Sequence, residues 1–482
     1  FRNAVGVHER TEQALPAMLS GRLAADDQRA PSAADYPDTL FSLVEDGYRV
    51  EAVESVTALC PTTACVDGSR QRPPPADWWR ALANDLAVVA GHVLLPIDLV
   101  GGLPPIDQGW SGFLASEAPP EEASPQEAPA EESVNRRFNR AVDNDRRRAL
   151  ADFELRLDDP LAADQLFFGH FLLPHSPWTI LPDGRRYSVA RVPPGDWSVW
   201  TDDAWVVEQA YQSHLLQVQY VDRFVGDVIE RLEELGSYHD ALVVVTADHG
   251  VAIRPGTDRR VITADNVGEV AAVPLFVKRP GQLHGQISDY RAETTDILPT
   301  VAALLGVEVP WPVTGVDLFA PDLPDRATST MLGSAGPVTF GVDGAEKLAI
   351  ARYHDRWFAA GDPYGLAPPG HHDLLGVEVA TLANGAAAGE VSLDQRPPFA
   401  DPDTDVVTAL ISGTVTGIAS GEHVVAVAVD GRIVAVTRTW VDGGLTQFQA
   451  MLPPDAIEAA SMPRFYLVNG AGPERTLAPL DG

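Results

Sequence analysis

The chain has 482 residues, 68 of them acidic and 35 basic, for a formal net charge of -33. So large a negative excess repels polyphosphate backbones and excludes nucleic acid as a partner. With 45% apolar residues, a chain of this length is expected to build two or three domains with real cores.

Taken from the N-terminus, the first candidate element is helix-like, Glu12 to Leu19, with Thr11 in the N-cap position and Met18-Leu19-Ser20-Gly21 closing it. The only cysteines, Cys60 and Cys65, lie in Leu59-Cys60-Pro61-Thr62-Thr63-Ala64-Cys65. A short-loop disulfide outside the cytoplasm is one reading and a metal pair the other, although no further Cys exists to complete a metal site. The longest apolar run, Leu86 to Gly102, contains His92, Pro96 and Asp98, so it reads as a core helix or strand rather than a membrane span. Residues 116–133 form a Pro/Glu/Ala tract that cannot bury a core and reads as a disordered acidic loop. An Arg-rich helix is expected from Asn135 to Leu157.

The segment His170-Phe171-Leu172-Leu173-Pro174-His175-Ser176-Pro177-Trp178 follows, with two prolines fixing the direction of His175. Asp183-Gly184 is a turn, and Arg185 and Arg186 just after it are candidates to clamp an anionic group. Apolar residues at Leu215, Val218, Val221, Val225, Val228, Ile229 and Leu232 trace a helical stripe that Gly236 stops. The run Leu242-Val243-Val244-Val245 then reads as a buried parallel strand entering Asp248-His249-Gly250. In open α/β sheets the ligand site lies beyond the carboxyl ends of strands, and a carboxylate beside an imidazole suits a divalent cation. Arg254, Arg259 and Arg260 line the polar loop after it, and nothing local chooses among them as an anion contact. Val273 to Val277 is a second short strand, Lys278 an ordinary surface charge, and Thr294 to Val301 a capped helix with Pro299 in its first turn. Strands alternating with helices predict a three-layer α/β domain. His371 and His372 read as structural. Past a boundary at residues 376–404, Val406 to Thr416, Glu422 to Val429 and Arg432 to Thr439 alternate apolar with polar residues, with Asp430-Gly431 as a hairpin turn. With Phe448 to Leu452 and Phe465 to Val468 they predict a small all-β sandwich.

Several of these motifs, in this order, resemble the sulfatase-type branch of the alkaline phosphatase superfamily. They are Leu15 to Arg22, His170 to Trp178, Thr246-Ala247-Asp248-His249-Gly250, Val273 to Val277 and Asp296-Ile297-Leu298-Pro299-Thr300. The resemblance covers residues 1–330 and is nearest to the sulfatase-like domain of bacterial membrane-anchored proteins. It implies a three-layer alkaline-phosphatase-like sandwich with a mostly parallel sheet over residues 1–385, followed by a small all-β domain over 386–482. It places the nucleophile at Thr11. Thr cannot become the formylglycine of sulfatases, and the Pro and Arg that follow the sulfatase nucleophile are absent, but Thr serves phosphotransferases of the superfamily. The implied roles are Thr11, Asp248 and His249 around one divalent ion (Mn, Mg, Ca or Zn), with His175 as anion contact or general acid. His170 and Arg260 are the further substrate contacts it implies, and Arg185, from its place after the Asp183-Gly184 turn, is added to them.

The expected function is metal-dependent hydrolysis or transfer of phosphate or sulfate esters, lipid- or glycan-linked among the candidates. The alternatives are a true sulfuric ester hydrolase and an inert cell-surface binding domain. In the resemblance an acidic metal ligand sits on a strand several dozen residues before the nucleophile. That strand and a membrane anchor are expected in a segment preceding Phe1, and the protein is expected to be extracytoplasmic.

Overall fold

The computed structural model describes residues 1–23, 29–63, 65–67, 146–157, 164–188, 198–341, 344–394, 405–458 and 462–482. The apolar run at 86–102, the acidic tract at 116–133 and the start of the Arg-rich helix lie outside them. The described residues of 1–66 and 146–482 form one compact unit.

Helix α1 spans Thr11–Ser20 and ends at Gly21, whose φ of 67° is the left-handed conformation that suits glycine. Arg10 is its N-cap, so Thr11 is the first helical residue rather than the cap. Strand β1 (Arg49–Glu54) follows, then β2 (Cys65–Asp67), helix α2 (Arg147–Arg156) and β3 (Gln165–His170). These strands form a sheet in the order β2-β1-β3, with β1 and β3 parallel and Glu54 level with His170. Cys60 and Cys65 are joined as a disulfide.

Helix α3 runs from Ala204 to Glu234, capped by Asp203, whose carboxylate accepts from the Trp205 amide at 2.9 Å. It begins well before the stripe that betrayed it, because its first turns are buried all round. Strand β4 (Val243–Thr246) carries the chain to Asp248, and its described partner β5 (Leu275–Lys278) runs antiparallel to it. Between them lies the short α4 (Val267–Ala271). The helix expected at Thr294 begins as a 3-10 turn over Thr294–Asp296 and becomes α5 (Ile297–Leu305). Leu15, Met18 and Leu19 of α1 share a core with Ile297, Leu298 and Val301 of α5, which fixes the entry of α1.

The C-terminal region is one nine-stranded sheet, built from Ala383–Asn384 (β6), Gly389–Leu393 (β7), Leu410–Thr416 (β8), Val424–Val429 (β9), Arg432–Arg438 (β10), Trp440–Asp442 (β11), Leu445–Met451 (β12), Arg464–Asn469 (β13) and Thr476–Asp481 (β14). The spatial order is β10-β9-β13-β14-β7-β8-β12-β11, with β6 against β14. All nine described strands hydrogen-bond into this one sheet. The β9–β10 hairpin turns at Asp430 (φ 49°) and Gly431 (φ 84°), the paired positive angles of a tight two-residue turn. Its inner face packs Phe448, Ile411, Val425 and Val427 with Leu181, Tyr187 and Leu216 of α3 and the preceding loop. Among the described residues no helix is long and apolar enough to cross a membrane.

Candidate functional site

The site forms where the start of α1 meets the end of β4. Thr11 and Asp248, 237 residues apart, are joined by a 2.6 Å hydrogen bond in which Thr11 Oγ1 donates to Asp248 Oδ2. Thr11 Oγ1 lies 3.5 Å from His249 Nε2. Two glycines let the backbones come this close. A Cβ on Gly6 would stand 2.6 Å from the Asp248 carbonyl oxygen, and one on Gly250 would stand 2.4 Å from that of Glu269. The Gly250 amide donates to Val270 O at 2.6 Å, so the Asp-His turn is seated on α4.

His249 Nδ1 lies 2.9 Å from the Gly250 carbonyl, an acceptor that places the ring proton on Nδ1. His175 Nδ1 lies 2.6 Å from Ser176 O and is fixed the same way. Both Nε2 lone pairs then face inward, and one guanidinium meets both. Arg260 Nη2 donates to His249 at 2.7 Å and Nη1 to His175 at 3.1 Å. His170, at the end of β3, completes the cluster through its charge coupling to Asp248 and His249.

The electrostatics follow from this packing. Burial would raise the Asp248 carboxyl, but His249, His170 and the Thr11 hydroxyl together hold it down at about 2, so it is an anion at any working pH. Burial depresses His175 to about 4, with Arg260 and His249 adding to the effect, so its imidazole is neutral. Burial also lowers His170 and Arg260, and Asp248 opposes it in both.

The donor types suit a divalent cation: a carboxylate, an imidazole lone pair held by a carbonyl on its far nitrogen, and a hydroxyl. Among the described residues, however, no three His, Cys, Asp or Glu side chains come together as a metal site. Asp248 and His249 are the two residues here that would ligate a cation, and one on His249 Nε2 would replace its contact with Arg260.

The structure thus brings together Thr11, His170, His175, Asp248, His249 and Arg260. It does not bring Arg185, whose Nε donates to Asp183 Oδ2 at 2.7 Å; the carboxylate two residues upstream captures it, correcting the expected substrate contact. Of the other loop arginines, Arg254 pairs with Glu269, and Arg259 stacks 3.7 Å over Trp200. Lys278 is no ordinary surface charge, because its ammonium donates to the carbonyls of Tyr238, His239 and Ala241. His371 and His372 sit at a short 3-10 turn after Pro369.

Four supporting residues gave no signal in the sequence. The buried guanidinium of Arg146 donates to the carbonyls of Leu172 (3.2 Å), His175 (2.5 Å) and Pro177. Gln217 of α3 adds a 2.9 Å bond to the His175 carbonyl, so that loop is gripped from two sides. Glu9 accepts from the Ile262 amide and from both the amide and hydroxyl of Ser334, tying the residues before Thr11 to the Arg260 loop. Burial works against its ionisation, but the Ser334 and Ile262 donors hold its carboxyl below the usual range. Glu54 accepts from Thr57 Oγ1 and from the amides of Leu59 and Cys60, which orders the disulfide loop beneath His170.

A family model described as Sulfatase matches residues 106–307. A multifunctional alkaline phosphatase superfamily protein of Trinickia caryophylli is 29% identical over 121 residues, 25% of this chain and 23% of that protein. An endo-4-O-sulfatase of Bacteroides thetaiotaomicron is 30% identical over 117 residues, 23% of this chain and 22% of that protein. The matches thus span less than a quarter of the length of these relatives. Among solved structures, a phosphonate monoester hydrolase from Silicibacter pomeroyi aligns with a TM-score of 0.44 and 16% identity, over 74% of this chain and 86% of the other.

Proposed function

From the sulfatase-family region at residues 106–307, we propose that the chain hydrolyses or transfers phosphate or sulfate esters with Thr11 as the nucleophile. The observation that carries this reading is the Thr11 hydroxyl bound to an ionised Asp248 and 3.5 Å from His249 Nε2, with the Arg260 guanidinium joining that imidazole to His175.

Each residue then has a part. Arg260 and His175 bind the oxygens of the transferred group, and His170 supports Asp248 from behind. Thr11 Oγ1 forms the new bond to phosphorus or sulfur as the ester O–P or O–S bond breaks in line. The hydroxyl proton leaves along the hydrogen bond to Asp248. An anion held on His175 Nε2 favours the protonated imidazole, which then donates a proton to the departing alkoxide. Water on the opposite face releases the group in hydrolysis, and an acceptor alcohol does so in transfer. Asp248 and His249 would hold a divalent cation, which when bound lowers the pKa of the Thr hydroxyl and offsets charge on the transferred group. The proposed setting is extracytoplasmic, in keeping with the Cys60–Cys65 disulfide. A sulfuric ester hydrolase is the second reading, favoured by the likeness to an endo-4-O-sulfatase.

The test is turnover of an aryl phosphomonoester, an aryl phosphodiester and an aryl sulfate with Mn²⁺, Mg²⁺, Ca²⁺ or Zn²⁺ supplied in turn. We expect Thr11→Ala to reduce phosphoester turnover by about three orders of magnitude or more while the protein stays folded. Asp248→Asn should lower the metal content found by elemental analysis. Unchanged turnover in Thr11→Ala sinks the nucleophile; turnover of the sulfate alone favours the second reading.

A further inference from the structure

Arg10 immediately precedes the nucleophile and has no part in the scheme above. It is exposed, and its guanidinium has no partner among the described residues. As N-cap of α1 it offers no side-chain acceptor to the helix amides, and the acidic residue of the first turn is Glu12. Its Cα is about 3.8 Å from that of Thr11, and the residue on its other side, Glu9, offers its carbonyl to Arg260 while Thr11 bonds Asp248, so the Arg10 backbone lies within the site. Arg260 is anchored on the same segment, with Nη2 3.4 Å from the Glu9 carbonyl. The two arginines are close enough to repel, and the Arg10 charge is one of those that weigh on the Arg260 pKa, behind burial.

The neighbouring carboxylates do not use up this charge. Asp248 is taken by Thr11 and the His249 amide, and Glu9 by Ser334 and Ile262. Glu12, in the first turn of α1, is the one further acid that offsets Arg260. One guanidinium is fixed within the site, and a second is carried by the exposed residue between Glu9 and Thr11.

We propose that Arg10 is a specificity residue which, with Arg260, selects a doubly charged transferred group, so that the site prefers the dianion of a phosphate monoester to the monoanion of a sulfate ester. Arg260 holds the group against His175 in either case. Arg10 closes on the remaining charge, and a monoester sulfate has none to offer. This inference rests on Thr11 marking an anionic-ester site, and its test is therefore one of binding rather than turnover.

The probes are benzenephosphonate and benzenesulfonate, similar in shape, resistant to hydrolysis and differing by one charge at about pH 8.5. Calorimetry on the full chain should give a wild-type preference for the phosphonate of about tenfold or more. Arg10→Gln should weaken phosphonate binding about tenfold and change sulfonate binding less than about twofold, while Arg10→Lys keeps most of the preference. Equal weakening of both probes, no change in either, or no wild-type preference would overturn the proposal. If Thr11→Ala still turns over esters, the nucleophile assignment fails while this comparison keeps its meaning.

Discussion

The two ends of the molecule are built on opposite plans. The C-terminal sheet is apolar inside, with Phe448 fully buried and edge-on to Phe465 at 5.4 Å, and most of its strands pair with close neighbours in sequence. The candidate site is polar throughout and joins segments that begin at Thr11, His170, Asp248 and Arg260. One region is held by area removed from water, which tolerates repacking. The other is held by hydrogen bonds of fixed direction, where a small displacement removes function before it removes the fold. Stability and activity should therefore separate when each region is perturbed in turn.

The largest effect on stability is expected in the sheet. Phe448→Ala should cost about 3–5 kcal/mol by denaturant unfolding, with benzenephosphonate affinity unchanged in the protein that remains folded. A matching loss of affinity would show that the two regions are coupled more tightly than their chemistry suggests. Arg146→Met sharpens the contrast from the other side. It keeps the stem but removes the donors to Leu172, His175 and Pro177, so kcat/KM should fall about tenfold to a hundredfold. The stability cost should be only about 1–3 kcal/mol. Arg146→Lys should restore part of the activity, and an unchanged kcat/KM in Arg146→Met would remove Arg146 from any positioning role.

The smallest expected effect is on pH dependence. Burial holds His175 and His214 near pKa 4 in the folded chain, below the 6.5 of a free imidazole. Above about pH 6.5 neither group alters stability. As the pH falls from there toward 4, the unfolded chain takes up protons that the folded chain refuses, so stability falls on acidification. The melting temperature should drop between pH 7 and 5, and His214→Gln should shrink the drop. A flat profile would mean that both imidazoles are more open to water than their packing implies.

What could be read in advance follows the same division. The strand into Asp248-His249 and the Asp430-Gly431 hairpin were legible because their signals are local: β-branched runs and residues tolerant of positive φ. The geometry around Thr11 was legible only through resemblance, since no pattern in Glu12 to Leu19 points to a partner 237 residues away. Among Arg254, Arg259 and Arg260 the choice is made by Glu269 and Trp200, which capture the first two. Arg185 misled because its neighbour Asp183 was read as a turn residue and not as its counter-ion. The C-terminal strands were found one by one, but their arrangement was not, because the parallel pairing of Gly389–Leu393 with Thr476–Asp481 leaves no mark on either segment.

The single guanidinium shared by His175 and His249 makes the site its own competitor. Anything that binds there, whether an anion seeking Arg260 or a cation seeking His249, must first exchange for contacts of 3.1 Å and 2.7 Å that already exist. Measured affinities will report the difference between two sets of hydrogen bonds rather than the strength of the new one. A weak ligand at this site would therefore not imply a poor fit, and a tight one must displace an internal partner.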